Sequence, residues 1–150
     1  NWRNVTNEFM NHPDRPELLM VRKKGTSSFM LPGGKPEPGE APRETAIREC
    51  AEETGVRLPA RDLTELGTFT AAAANEAGFA VRANVFEYRR VVQDATAAAE
   101  IAELRWLSLD DAGSTRTENT SVSLAPLLVE QVIPALRSRD QPSAGDVSLN

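Results

Sequence analysis

Five glutamates fall within fourteen positions between Glu40 and Glu53, directly behind the Gly33–Gly34 pair. Three of them, Glu49, Glu52 and Glu53, stand at i, i+3 and i+4, the spacing that puts side chains on one helix face. Like charges so placed repel by roughly 0.2–0.5 kcal/mol per pair even when exposed. A purely structural helix gains nothing from that repulsion. A divalent cation would relieve it, because hard ions such as magnesium bind carboxylate oxygens and backbone carbonyls. Gly33 and Gly34 offer carbonyls that a ligand can approach closely, and Arg48 lies four residues before Glu52.

These residues need a helix to hold them. Pro42 suits a first helical turn, and Gly55 suits a left-handed helix end. Between them Ala46, Ile47, Cys50 and Thr54 can face a core, so the spacing predicts a helix over residues 41–54. Upstream, "ELLMVRKK" (17–24) and "SFMLP" (28–32) read as strands. Residues 63–92 read as two strands around a turn at Asn75–Gly78. In the second of these, Phe79, Val81, Ala83 and Val85 alternate with Arg82 and Asn84 as in a half-buried strand. "AELRWLSL" (102–109) reads as a further strand, with Trp106 in the core. Residues 123–137 carry helical spacing in Leu124, Leu127, Leu128, Val132, Ala135 and Leu136, and Pro134 is expected to kink or end that helix. The tail 139–150 is polar and reads as disordered.

The chain has 150 residues, enough for one domain with a real core, and 22 acidic against 17 basic residues give it a net charge of −5. That balance argues against a nucleic-acid polymer or an anionic membrane as partner. Cations for a phosphorylated ligand must then be local, and Arg22, Lys23 and Lys24 at a strand end are candidates. The single cysteine, Cys50, excludes an internal disulfide and fits a cytoplasmic location. No apolar run reaches membrane-spanning length. His12, the only histidine, reads as a surface turn residue.

Gly34, Glu40, Arg48, Glu49, Cys50, Glu52, Glu53, Gly55 and Val56 stand at the spacings of the Nudix box, and the chain resembles the Nudix hydrolase family (MutT-like). Cys50 is the one soft match, a small hydrophobe where the family has an apolar residue. The resemblance implies an α/β fold of the Nudix type, an α/β/α sandwich with a mixed β-sheet. It implies hydrolysis of a nucleoside diphosphate linked to another moiety, with Mg2+ or Mn2+ as cofactor. Glu49, Glu52 and Glu53 would be metal ligands, joined by the Gly33 or Gly34 carbonyl, and Glu49 could also help to activate water. Arg48 would orient a glutamate of the box, Glu40 would hold its loop, and Gly55 would end its helix. A further carboxylate is expected at Glu100 or Glu103, and Asn75 and Glu76 are candidate substrate or metal contacts.

The resemblance covers residues 15–138 as the domain. Residues 1–14 are polar where the family has an apolar first strand, which leaves that strand in question. A nucleotide-type small molecule is the expected partner, with a homodimer open. No proline or tyrosine near "TAAAANEA" marks an ADP-ribose or dinucleoside-polyphosphate enzyme, so nucleoside triphosphates and nucleotide sugars both stand. The alternative is a non-hydrolytic nucleotide sensor, or an isomerase, on the same fold; the intact acidic triplet argues against a pure sensor.

Overall fold

A computed structural model describes residues 1–10, 17–88, 94–108 and 123–140. His12, residues 89–92 of the expected strand and residues 141–150 of the tail lie outside them, while residues 139–140 of that tail are helical. In chain order the elements are β1 (Trp2–Met10), β2 (Glu17–Lys23), β3 (Ser28–Phe29), β4 (Gly33–Gly34), α1 (Pro42–Thr54), β5 (Leu63–Ala72), β6 (Ala80–Tyr88), β7 (Ile101–Ser108) and β8 (Ser123–Leu124). A helical run follows, π-helical over Leu127–Val132 and α-helical as α2 over Ile133–Asp140. One sheet has the order β4-β1-β6-β5, while β2 pairs with β7 and β3 with β8. The large sheet is mixed, with β1 parallel to β6 and antiparallel to β4. Among the described residues no helix is long and apolar enough to cross a membrane.

Two cores flank the strands. On one side Leu19, Phe86 and Tyr88 pack with Ala46 and Cys50 of α1. On the other, Leu18, Met20, Ala83 and Val85 pack with Leu128, Val132 and Leu136 of the C-terminal helical run. Period-2 alternation thus feeds both layers from the same strands. The half-buried reading of β6 holds only for its first part, since Val85 to Tyr88 are all buried between the two layers.

The polar N-terminal segment forms a full strand despite its composition. Trp2 to Met10 pair with Ala80 to Tyr88, and Thr6 and Asn7 pair with Gly34 and Gly33. Trp106 corrects another expectation. At 39% exposed it faces solvent, because alternation along β7 sends its neighbour Leu107 into the core. Residues 123–124 form β8, paired in parallel with β3, and do not begin the helix. Pro134 does not end that helix either. The backbone amide of Ile133 donates to the Leu128 carbonyl, a wide turn just before the proline, and α2 then runs on to Asp140. Such a widened turn is one way for a helix to take up a residue without an N–H.

Candidate functional site

Helix α1 starts where Ala41 donates its N–H to the Glu44 carboxylate (2.8 Å) and ends at Gly55, whose left-handed φ of 76° lets its N–H reach the Ala51 carbonyl. Its length brings Arg48 over the preceding loop. The guanidinium donates to both carboxylate oxygens of Glu40 (2.7 and 2.9 Å), to the Lys35 carbonyl (3.0 Å) and to Glu49 (3.1 Å). A longer contact, 3.4 Å, reaches Glu52. Glu40 also accepts from the Glu37 amide and the Thr45 hydroxyl. The Arg48 hydrogen bonds, with that amide, hold the Glu40 carboxyl down at about 2.

The acidic triplet divides into three environments. Glu53 is 1% exposed, and one of its oxygens accepts the Gly33 N–H at 3.0 Å. The other, Oε2, is buried and has no partner among the described residues. Burial pushes this carboxyl up to about 8, opposed by the Gly33 hydrogen bond and reinforced by Glu49. The Glu49 carboxylate lies directly on Gly34, where any Cβ would collide with it. Burial raises its pKa too, against the pull of Arg48. Glu52 is half exposed and reaches Arg48. The triplet that spacing puts on one helix face is unevenly buried: Glu53 is enclosed, Glu49 lies on the glycine turn, and Glu52 is half exposed while sharing the Arg48 Nη1 with Glu49. Among the described residues no three acidic, His or Cys side chains surround one point closely enough to hold a metal ion as they stand. The donor chemistry still suits one. Buried carboxylate oxygens, one without a partner, beside glycine carbonyls are what a hard divalent ion takes.

A cavity of about 480 Å³ opens beside Gly33, Gly34 and Glu49. Val5, Met30, Leu31, Val81, Leu127 and Leu128 give it apolar walls, and Arg3, Lys23, Lys35, Arg48, Asn75, Glu76 and Glu100 supply its polar groups. Of the two candidate additional carboxylates, Glu100 lines the cavity, where its charge bears on Glu49 and Glu53. Glu103 does not line it and is tied to Arg22 and Arg105. Asn75 and Glu76 do reach the cavity, Glu76 as the partner of Arg3 at 3.1 Å. Lys23 lines it as well, whereas Arg22 turns to Glu103 and the Thr26 carbonyl. Sequence reasoning missed Arg3, Val5, Asn7 and Lys35. Alternation along β1 carried the signal for the first three, once that segment is read as a strand.

A mixed sheet between helices, with a glycine turn docked on an acidic helix, defines the class of fold. A family model described as NUDIX domain matches residues 6–128, and the chain belongs to that family. The match begins inside β1, within the segment set apart on sequence grounds. A Bacillus subtilis protein provisionally named as an 8-oxo-dGTP diphosphatase is 46% identical over 39 residues, 26% of this chain and 26% of that protein. The alignment thus spans about a quarter of this relative's length. The crystal structure of a MutT/nudix family protein from Enterococcus faecalis superposes with a TM-score of 0.73 at 20% identity, covering 96% of this chain and 64% of that one. The NUDIX domain of Shewanella oneidensis NrtR, solved with ADP ribose, gives 0.69 at 20% identity over 94% and 90% of the two chains. At such identities these two likenesses concern the fold alone.

Proposed function

We propose that this chain is a pyrophosphohydrolase that cleaves the phosphoric anhydride of a nucleoside diphosphate derivative, a nucleoside triphosphate or a nucleotide sugar, with Mg2+ or Mn2+. The observation that carries the reading is the buried Glu53 Oε2, which has no partner among the described residues and sits under Gly33 beside Glu49, the glutamate of the pair that lines the cavity. A buried polar atom without a partner costs about 1–3 kcal/mol, and a ligand that satisfies it recovers that cost. Glu49, Glu52, Glu53 and the Gly33 or Gly34 carbonyl would hold the ion. When bound, the ion supplies neutralising charge for the diphosphate and lowers the pKa of a bound water.

The chain's own groups then have separate tasks. Arg48 fixes Glu49 by their 3.1 Å contact and ties the loop to the helix through Glu40. Lys23 and Lys35 line the cavity and meet phosphate charge that the net-acidic surface would repel. Its apolar walls exclude water from the nucleoside end. Water attacks one phosphorus, its proton passes to Glu49, and the bridging P–O bond breaks with its electron pair leaving on the departing phosphate. Cys50, the one cysteine of the sequence, is buried, in keeping with a cytoplasmic setting.

A panel of nucleoside triphosphates and nucleotide sugars, incubated with Mg2+ or Mn2+, tests this by following phosphate release with and without added pyrophosphatase. Turnover of at least one compound that stops in EDTA is the expected result. Binding of a nucleotide without turnover in either metal would overturn hydrolysis in favour of a ligand sensor.

A further inference from the structure

The Gly33–Gly34 turn is gripped from the side opposite α1. The side-chain amide of Asn7 is buried and donates to two successive carbonyls, Leu31 (3.1 Å) and Pro32 (3.1 Å). Both acceptors are carbonyl oxygens, so the orientation of the amide follows from chemistry: its oxygen in that place would face two others. In the sheet, Asn7 pairs with Gly33 and Thr6 with Gly34. The fit is close enough that a Cβ on Gly33 would run into the Thr6 carbonyl and the Asn7 amide nitrogen. Gly33 in turn passes its own N–H to Glu53 on the far side. One side chain thus fixes two peptide units whose continuation bears the glycine carbonyls and the contact to a buried carboxylate.

We infer that Asn7 is a positioning residue, which sets the Gly33–Gly34 turn against Glu49 and Glu53 and thereby tunes their affinity for a divalent ion. This rests on the proposed hydrolase reading, and it gives β1 a task beyond completing the sheet. Groups that orient metal ligands are worth about 10–100-fold in metal affinity when removed. Asn7→Asp keeps the shape but replaces the donating nitrogen with an oxygen that opposes both carbonyls.

The test is a titration of the metal-free chain with Mn2+, free ion being read by electron paramagnetic resonance well below each variant's melting temperature. Asn7→Asp is expected to weaken Mn2+ binding about 10–100-fold. Ile133→Ala, a core truncation away from the turn, should lower the melting temperature and leave Mn2+ affinity unchanged. Should Asn7→Asp fail to fold, Asn7→Ser removes the same two donors with less repulsion and gives the same reading. A folded Asn7 variant with the parent's Mn2+ affinity, or a loss matched by Ile133→Ala, overturns the inference alone. A parent chain that binds no Mn2+, with or without nucleotide, overturns the hydrolase reading as well.

Discussion

Glu40 and Glu53 lie thirteen positions apart in the same acidic segment and meet opposite fates. Glu40 accepts four hydrogen bonds, two from Arg48, one from the Glu37 amide and one from the Thr45 hydroxyl, and its carboxyl is held at about 2. Glu53 accepts one, has a second oxygen without a partner among the described residues, and is pushed up to about 8 by burial. The difference teaches which carboxylate the fold has finished with. A fully paired glutamate is scaffolding, whereas one buried with an unused oxygen is unstable as an anion until something cationic arrives.

The strongest way to break this comparison is to remove the charge from the unfinished member. Glu53→Gln keeps size and can still accept the Gly33 N–H, so the fold should survive. Turnover on the best nucleotide should fall by at least about 100-fold, measured as phosphate release in saturating Mg2+. Parent-like turnover would reduce Glu53 to a structural role equal to that of Glu40.

A smaller effect should appear in the metal-free chain as pH changes, with opposite signs for the two residues. The folded pKa of Glu53 lies above its unfolded value, so the unfolded chain releases that proton first. Stability is then full below about 4.5 and drains as pH rises toward about 8. The loss is on the order of a few kcal/mol at most. Glu40 has a depressed folded pKa, so its contribution is present above about 4.5 and is lost as pH falls toward about 2. Thermal melts in EDTA across this range should show both slopes, and Glu53→Gln should flatten only the upper one. The smallest effect belongs to Glu44→Gln. Its amide oxygen can still accept the Ala41 N–H, so stability should stay within about 0.5 kcal/mol and turnover close to the parent's.

How much of this was legible beforehand depended on whether the signal was local. The helix from Pro42 to Thr54, its glycine end and the candidate carboxylates are written in short-range spacing, and Arg48 stands where it can bridge them. The separate fates of Glu49, Glu52 and Glu53 were not readable, because burial of Glu53 depends on β4 docking across the helix. The first strand stayed in question for a related reason. Arg3, Val5 and Asn7 alternate toward the cavity, so residues that serve the site stand where an apolar pattern would otherwise announce a strand. Trp106 was misplaced since composition cannot say which face of β7 is covered.

Cys50 carries one more consequence. It is the only cysteine in the sequence, next to Glu49 along the chain but fully buried in the core on the inner side of α1 with Leu19, Ala46 and Phe86. A thiol reagent can reach it only when that helix lifts from the sheet, so the rate of labelling is a clock for such openings. An ion that bridges the helix to the glycine turn should slow the clock, and the protein thus carries its own stopwatch for the moment at which its site becomes rigid.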